Sequence, residues 1–297
     1  MQKKALIEYW LEAKRLVEER QQLGALEFPT GLPFLDEVTD GLRRGEVWIL
    51  SGMTGSGKTS LALQVARNFA DNPKHSILFL TLEMKGYELV TRMFCEMQKI
   101  DSMDFRKGLL PPSYLEKEKM FTEYIQSIDF EIVEYGYNFS EVESIIKGLY
   151  KDKKPDVIFL DFIQLIEWQR FKDERLALVE YIRKMKELAK REDIGIVVVS
   201  QIRRLPAGAS SDRPPELQDL KGSGSLEQTA DKVIFIYSKT TEDIKSKEIN
   251  KHYYINLAKN RQGPLIEKEV GFISQHHRFI DIEEWGADLT KGVGGKL

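Results

Sequence analysis

The segment Gly52-Met53-Thr54-Gly55-Ser56-Gly57-Lys58-Thr59, continued by Ser60, has the glycine spacing and the lysine-hydroxyl ending of a phosphate-cradling loop. Glycines let backbone N–H groups close around phosphate oxygens, Lys58 supplies a point charge to the outer phosphates, and the Thr59 hydroxyl is placed to hold a divalent cation. The loop follows an apolar run ending at Leu50 and precedes a helical pattern starting at Lys58, so the positive end of a helix is expected to face the same anion. Gly52, Thr54, Gly55, Ser56, Gly57, Lys58, Thr59 and Ser60 are therefore candidate nucleotide-binding residues.

Other polar residues stand at the ends of apolar runs. Asp161 closes Val157 to Leu160, and its carboxylate is expected at the C-terminal edge of a sheet, opposite Thr59 across a Mg²⁺ ion. Taken alone, such an acid is more often a helix cap. Glu83 follows Ile77 to Leu82 and is suited to orient and polarise an attacking water. Gln201, after Ile194 to Ser200, offers an amide able to contact a γ-phosphate. Lys259 and Arg261 follow Tyr253 to Ala258; in extended geometry both point the same way and suit one phosphate. The alternative for each is an ordinary solvated polar residue at a strand end.

The elements that must position these residues alternate in type. Candidate strands are Val47 to Leu50, Ile77 to Thr81, Phe130 to Val133, Val157 to Asp161, Ile194 to Ser200, Val233 to Tyr237 and Tyr253 to Ala258. Candidate helices are Lys58 to Ala70, Tyr87 to Met97, Tyr114 to Ser127, Glu141 to Tyr150 and Arg175 to Arg191, with Ser140 and Glu143 forming a capping box. Near-continuous apolar strands separated by helices predict an α/β fold with a mostly parallel twisted sheet covered on both faces. Residues 1 to about 23 carry a narrow stripe, Leu6, Trp10, Ala13 and Val17, which needs a partner surface on its own domain or on a neighbour.

Of 297 residues, 44 are Lys or Arg and 47 are Asp or Glu, a net charge of −3, which excludes gripping nucleic acid by overall positive charge. A hydrophobic share of 42% and a charged share of 31% exclude global disorder and give enough apolar material for a core. Cys95 stands alone, so it forms no disulfide within the chain and is expected to be a buried thiol in a reducing cytoplasm. No apolar run reaches the ~18 residues of a membrane span, so no membrane partner is expected.

With these residues assembled, the chain resembles the motor domain of the replicative DnaB-type helicases, a branch of the RecA-like P-loop ATPases, from about Thr30 to about Phe272. Thr30 to Asp36, with Gly41-Leu42 and Gly45-Glu46, resembles the entry to the phosphate loop; Thr81-Leu82-Glu83-Met84 the segment bearing the catalytic glutamate; and Ile158 to Leu165 the strand of the Mg²⁺ site. Ser200-Gln201 is similar to the γ-phosphate sensor, and Asp219 to Gln228 with Ala230-Asp231 to the DNA-loop motif. Ala258 to Pro264 resembles the segment that reaches the neighbour's ATP, with Arg261 as arginine finger and Lys259 beside it. The resemblance implies an ATP-hydrolysing ring, usually of six copies, with ATP between subunits and single-stranded DNA in the hole, translocating 5′ to 3′. It implies ATP and Mg²⁺ as cofactors, residues 1–24 as a linker helix docking on the neighbour, residues 25–285 as the motor domain and residues 286–297 as a flexible tail.

The region Arg203 to Gly224 is too rich in proline and glycine for a helix or strand and reads as a mobile loop. Arg203, Arg204, Arg213 and Lys221 give it positive charge, and Gly222, Ser223 and Gly224 allow close backbone approach to phosphates. It holds no Phe, Tyr or Trp, so backbone tracking rather than base stacking is expected for single-stranded DNA. Two departures from the family stand out. Residues 1 to 29 leave no room for its N-terminal helical domain, which puts primase stimulation in doubt and leaves a helicase loader or primase open as a partner. Lys221-Gly222 stands where Arg-Glu is common. Two further readings remain: a RecA-like ATPase that binds, loads or recombines DNA without unwinding it, and a signalling ATPase ring of the clock-protein type that does not touch DNA.

Overall fold

The computed structural model describes residues 5–23, 27–134, 153–165, 174–202, 213–220, 229–242 and 249–282. Its helices are α1 (Leu6–Leu23), α2 (Pro33–Thr39), α3 (Lys58–Ala70), α4 (Gly86–Gln98), α5 (Ser102–Arg106), α6 (Tyr114–Ser127) and α7 (Glu174–Glu192). Its strands are β1 (Val47–Gly52), β2 (Ser76–Thr81), β3 (Asp129–Glu134), β4 (Val157–Asp161), β5 (Gly195–Gln201), β6 (Lys232–Glu242), β7 (Ile249–Asn260), β8 (Ile266–Ile273) and β9 (Arg278–Asp281). The nine strands form one sheet in the order β3-β2-β4-β5-β1-β6-β7-β8-β9.

From β3 through β6 every pairing is parallel, and from β6 through β9 every pairing is antiparallel. The parallel strands β1, β2 and β4 are buried along their whole length because both faces are covered. On one face Trp48, Leu50, Phe79, Phe159 and Ile236 pack against the inner sides of α3 and α4. On the other, Ile49, Leu80, Leu160, Val198 and Phe235 pack against Leu178, Ile182 and Met185 of α7. Each strand thus supplies alternate residues to two cores, which fixes its register and fixes which residue stands at its end. Cys95 is buried within α4, and burial pushes its thiol up to about 11, in accord with a packing role.

The α/β expectation holds, and the helices from Lys58 and from Tyr114 fall on the expected residues. Among the described residues, two α-helices and two strands are additional to those expected, α2, α5, β8 and β9, as are two 3-10 turns at Ile163–Leu165 and Leu217–Asp219. β6 and β7 also run well past Tyr237 and Tyr253, as a long hairpin. The expected helix at Glu141 to Tyr150, with its Ser140 and Glu143 box, and the tail at 286–297 lie outside the described residues. α1 exposes all four residues of its stripe, with Leu6 and Trp10 exposed by 86% and 62%. Among the described residues no helix is long and apolar enough to cross a membrane.

Candidate active site

Register across the parallel half of the sheet brings the expected residues together. Gly52 is the partner of Gln201 across β1 and β5, and Thr81 is the partner of Asp161 across β2 and β4. Because β2, β4, β5 and β1 are consecutive neighbours, Glu83, Asp161, Gln201 and the loop from Gly52 emerge side by side at one edge. This is the edge where α/β sheets take their ligands.

The loop has the form of a cradle. A Cβ at Gly52 would lie 2.3 Å from the carbonyl oxygen of Ile236 and 2.6 Å from Ser56 Oγ, so only glycine fits. Gly57 has φ +91° and lies against the Phe279 ring, and α3 begins at the next residue. Lys58 Nζ donates to the carbonyl of Met53 at 2.8 Å, folding the side chain back over the loop. Burial lowers the Lys58 pKa, while Asp161 and Glu83 pull it back up. Ser56 Oγ is buried within the loop without a hydrogen bond.

Asp161 is 1% exposed, and neither carboxylate oxygen has a hydrogen bond of normal geometry. Its pKa is pushed up to about 6, mainly by burial, with Glu83 adding and the adjacent Thr59 hydroxyl, Lys58 and Arg92 opposing. A buried carboxylate so thinly partnered is costly, and a divalent cation held between it and Thr59 would offset that cost. The residues present therefore fit Mg²⁺. Glu83 is exposed just beyond β2, in a turn closed by the Thr81 hydroxyl, which donates to Met84 O at 2.9 Å and accepts from Met84 N at 3.1 Å.

Gln201 is clamped at its main chain by Gln164, whose amide donates to Gln201 O at 3.0 Å and whose oxygen accepts from Gln201 N at 3.1 Å. Its own amide donates to Thr54 Oγ1, so it already touches the phosphate loop. The clamp by Gln164 is not among the sequence-based expectations, and neither is Arg92. That guanidinium lies on the inner side of α4 in the field of Asp161, Glu88 and Glu83, and burial lowers its pKa. Its signal in the sequence is a cation between Leu89 and Met93, both buried positions on that helix.

Lys259 and Arg261 stand elsewhere. β7 runs antiparallel to β6, so Lys259 pairs with Val233 near the start of β6. Val233 is level with Ile49, and Ile236 with Gly52. The pair therefore lies toward the opposite edge of the sheet from the phosphate loop, about 10 Å or more along the strands at ~3.3 Å per residue. The expected continuation of extended geometry is corrected: β7 ends at Asn260 and Arg261 stands in the following turn. Both cations meet one stretch: Lys259 Nζ donates to Ala230 O at 2.5 Å, and Arg261, whose main-chain N–H donates to Asp231 O at 3.0 Å, has its guanidinium 3.7 Å from the Asp231 carboxylate.

Of the expected DNA-contacting residues only Arg213 is described, and its guanidinium is engaged by Asp219 at 2.5 Å and by Pro214 O at 3.2 Å. Arg203, Arg204, Lys221, Gly222, Ser223 and Gly224 lie outside the described residues.

The fold and this edge define a P-loop nucleotide-binding protein of the α/β class. The family model for the DnaB-like helicase C terminal domain matches residues 27–281, and the chain belongs to that family. It is 30% identical over 260 residues to the replicative DNA helicase DnaB of Geobacillus stearothermophilus, covering 86% of this chain and 56% of that protein. It is 31% identical over 258 residues to the replicative DNA helicase DnaC of Bacillus subtilis (strain 168), with the same coverage of 86% and 56%. The chain thus spans about half the length of the curated relatives it matches. Among solved structures, an isolated ATPase domain superposes with a TM-score of 0.82 at 24% identity, covering 94% of this chain and 99% of that one. A DnaB-like replicative helicase solved in a study of its interactions with primase gives 0.78 at 24% identity, covering 94% and 67%.

Proposed function

We propose that the chain is the motor of a ring-forming, ATP-dependent DNA helicase or translocase that moves on single-stranded DNA in replication, 5′ to 3′. The observation that carries this reading is the split between the two edges of the sheet. Lys58, Thr59, Glu83, Asp161 and Gln201 share one edge, whereas Lys259 and Arg261 lie toward the other, where they face no phosphate of their own chain. A second copy placed edge to edge brings them to a γ-phosphate. The relatives named as replicative DNA helicases support the choice of DNA as the track.

In this reading the loop and the N-terminal end of α3 hold the phosphates through backbone N–H groups. Mg²⁺, held by Thr59 and Asp161, would neutralise charge on the β and γ groups. Glu83 takes a proton from water as its oxygen bonds to the γ-phosphorus, and the bond to the bridging oxygen of ADP breaks. Gln201, set by Gln164 and touching Thr54, registers loss of the γ-phosphate. Lys259 and Arg261 of the neighbour stabilise the negative charge of the transition state.

The exposed stripe of α1 fits a ring in which this helix docks on the adjacent copy. Leu109, Leu110, Leu115 and Met120 supply a second exposed apolar group around α5 and α6. The ring would be hexameric, by resemblance, with a loader or primase as further partners. A forked duplex with a strand trap tests the reading: ATP-dependent displacement of the trapped strand supports the motor. DNA binding with ATP turnover but no displacement supports a protein that coats or loads DNA, and turnover indifferent to DNA supports a signalling ring.

A further inference from the structure

Asp231 belongs, by sequence, to the stretch that resembles a DNA-contacting motif, yet it stands at the start of β6, beneath the turn bearing Arg261. Its carboxylate is almost wholly buried and holds three groups. One oxygen accepts from Val47 N at 2.8 Å and from Lys186 Nζ at 2.5 Å, while the other lies 3.7 Å from Arg261 NH1. Its main-chain oxygen accepts from Arg261 N. Lys186, on α7, is fixed in turn by Gly45 O at 2.7 Å. Beside this group Lys232 is buried against both oxygens of Glu46, at 2.9 and 3.1 Å.

Buried ionic groups of this kind add little net stability compared with apolar replacements, so their presence calls for another reason. The Arg261 side chain is 60% exposed whereas Asp231 is 9% exposed, so a fixed anion faces a solvated cation. The main-chain bond anchors the base of the arginine, and the long ion pair gives its end a preferred direction without holding it firmly. Such a contact is weak enough to yield to a phosphate and strong enough to reduce the rotamers that must be lost when one arrives.

We infer that Asp231, braced by Lys186, is a positioning residue for Arg261: it aims the guanidinium at the neighbouring subunit's γ-phosphate. This rests on the trans role proposed for Arg261. Asp231 acts through the arginine and touches no nucleotide of its own subunit.

A double-mutant cycle on ATP hydrolysis by the assembled protein tests it, using Asp231→Asn, Arg261→Ala and the pair, with labelled ATP under single-turnover conditions to resolve slow hydrolysis. Asn keeps an acceptor for Val47 N and removes the charge facing Arg261. The expected result is a roughly three- to tenfold fall in kcat for Asp231→Asn with KM changed less than about twofold, and no further fall when the substitution is added to Arg261→Ala. If Asp231→Asn leaves Lys186 stranded and fails to fold, Asp231→Asn with Lys186→Met takes its place in the same cycle. An unchanged kcat, or an equal fall with and without Arg261, overturns the inference while leaving the trans site standing. Full turnover by Arg261→Ala would instead remove the reading on which the inference rests.

Discussion

The two edges of the sheet are built on opposite plans. At the phosphate-loop edge polar atoms are thinly partnered: Ser56 Oγ is buried without a hydrogen bond, and the Asp161 carboxylate has the adjacent Thr59 hydroxyl but no hydrogen bond of normal geometry. At the far edge charged groups already have protein partners: Lys259 has Ala230 O, Asp231 has Lys186 and Val47, and Lys232 has Glu46. The first edge has room for a ligand's charges, and the second, in the reading proposed above, holds Lys259 and Arg261 for a neighbouring copy.

The largest expected effect belongs to the far edge. Arg261→Ala should lower kcat for ATP hydrolysis by about 10³-fold, with nucleotide binding retained, as read by turnover and by a fluorescent nucleotide titration. Glu83→Gln should lower kcat by about 10²-fold and leave ATP binding intact, which places that loss at the near edge and in the chemical step.

Asp161 gives a test that reads charge directly. Its pKa of about 6 in the folded chain lies above the ordinary value of 3.8, so ionisation is harder in the folded state. Without nucleotide, the contribution of this carboxyl to stability should be greatest below about pH 4, fall by roughly 3 kcal/mol as pH rises to about 6, and then level off. Asp161→Asn should abolish that fall and raise the Tm at pH 8 by several degrees, while losing the extra stabilisation that Mg²⁺ with nucleotide gives the parent. A Tm unchanged at pH 8 would mean that water or a local shift already satisfies the carboxylate. The smallest effect on the single subunit is expected for Trp10→Ser: unfolding free energy within about 0.5 kcal/mol of the parent, but a particle mass in ATP analogue that drops below that of the ring.

Much of the near edge is legible in the sequence because its chemistry is local. The loop Gly52 to Thr59 is contiguous, and Glu83, Asp161 and Gln201 each follow an apolar run whose burial on both faces forces the next polar residue to the edge. What cannot be read depends on distant pairing. Gln164 clamps Gln201 across 37 residues, and Asp231 meets Arg261 because β7 returns beside β6. Arg92 is hidden because Glu88 and Glu96 flank it at i−4 and i+4, so in the sequence it reads as one more charge of a paired helix face. The strand β8 escapes a reading by pattern because most of it is only half-buried, which weakens the alternation that marks a strand, and β9 because it is four residues long. The turn at Arg261 departs from expectation because the strand stops at Asn260 and extended geometry goes no further.

The most direct test mixes two crippled chains. Lys58→Ala lacks a working phosphate loop but keeps Arg261, and Arg261→Ala keeps the loop but lacks the finger, so each alone should be nearly inactive. Combined into mixed particles, confirmed by mass, they should hydrolyse ATP well above the sum of the two parents, because each Arg261→Ala pocket can meet an intact finger on a Lys58→Ala neighbour. Mixed particles no more active than that sum would contradict the shared site.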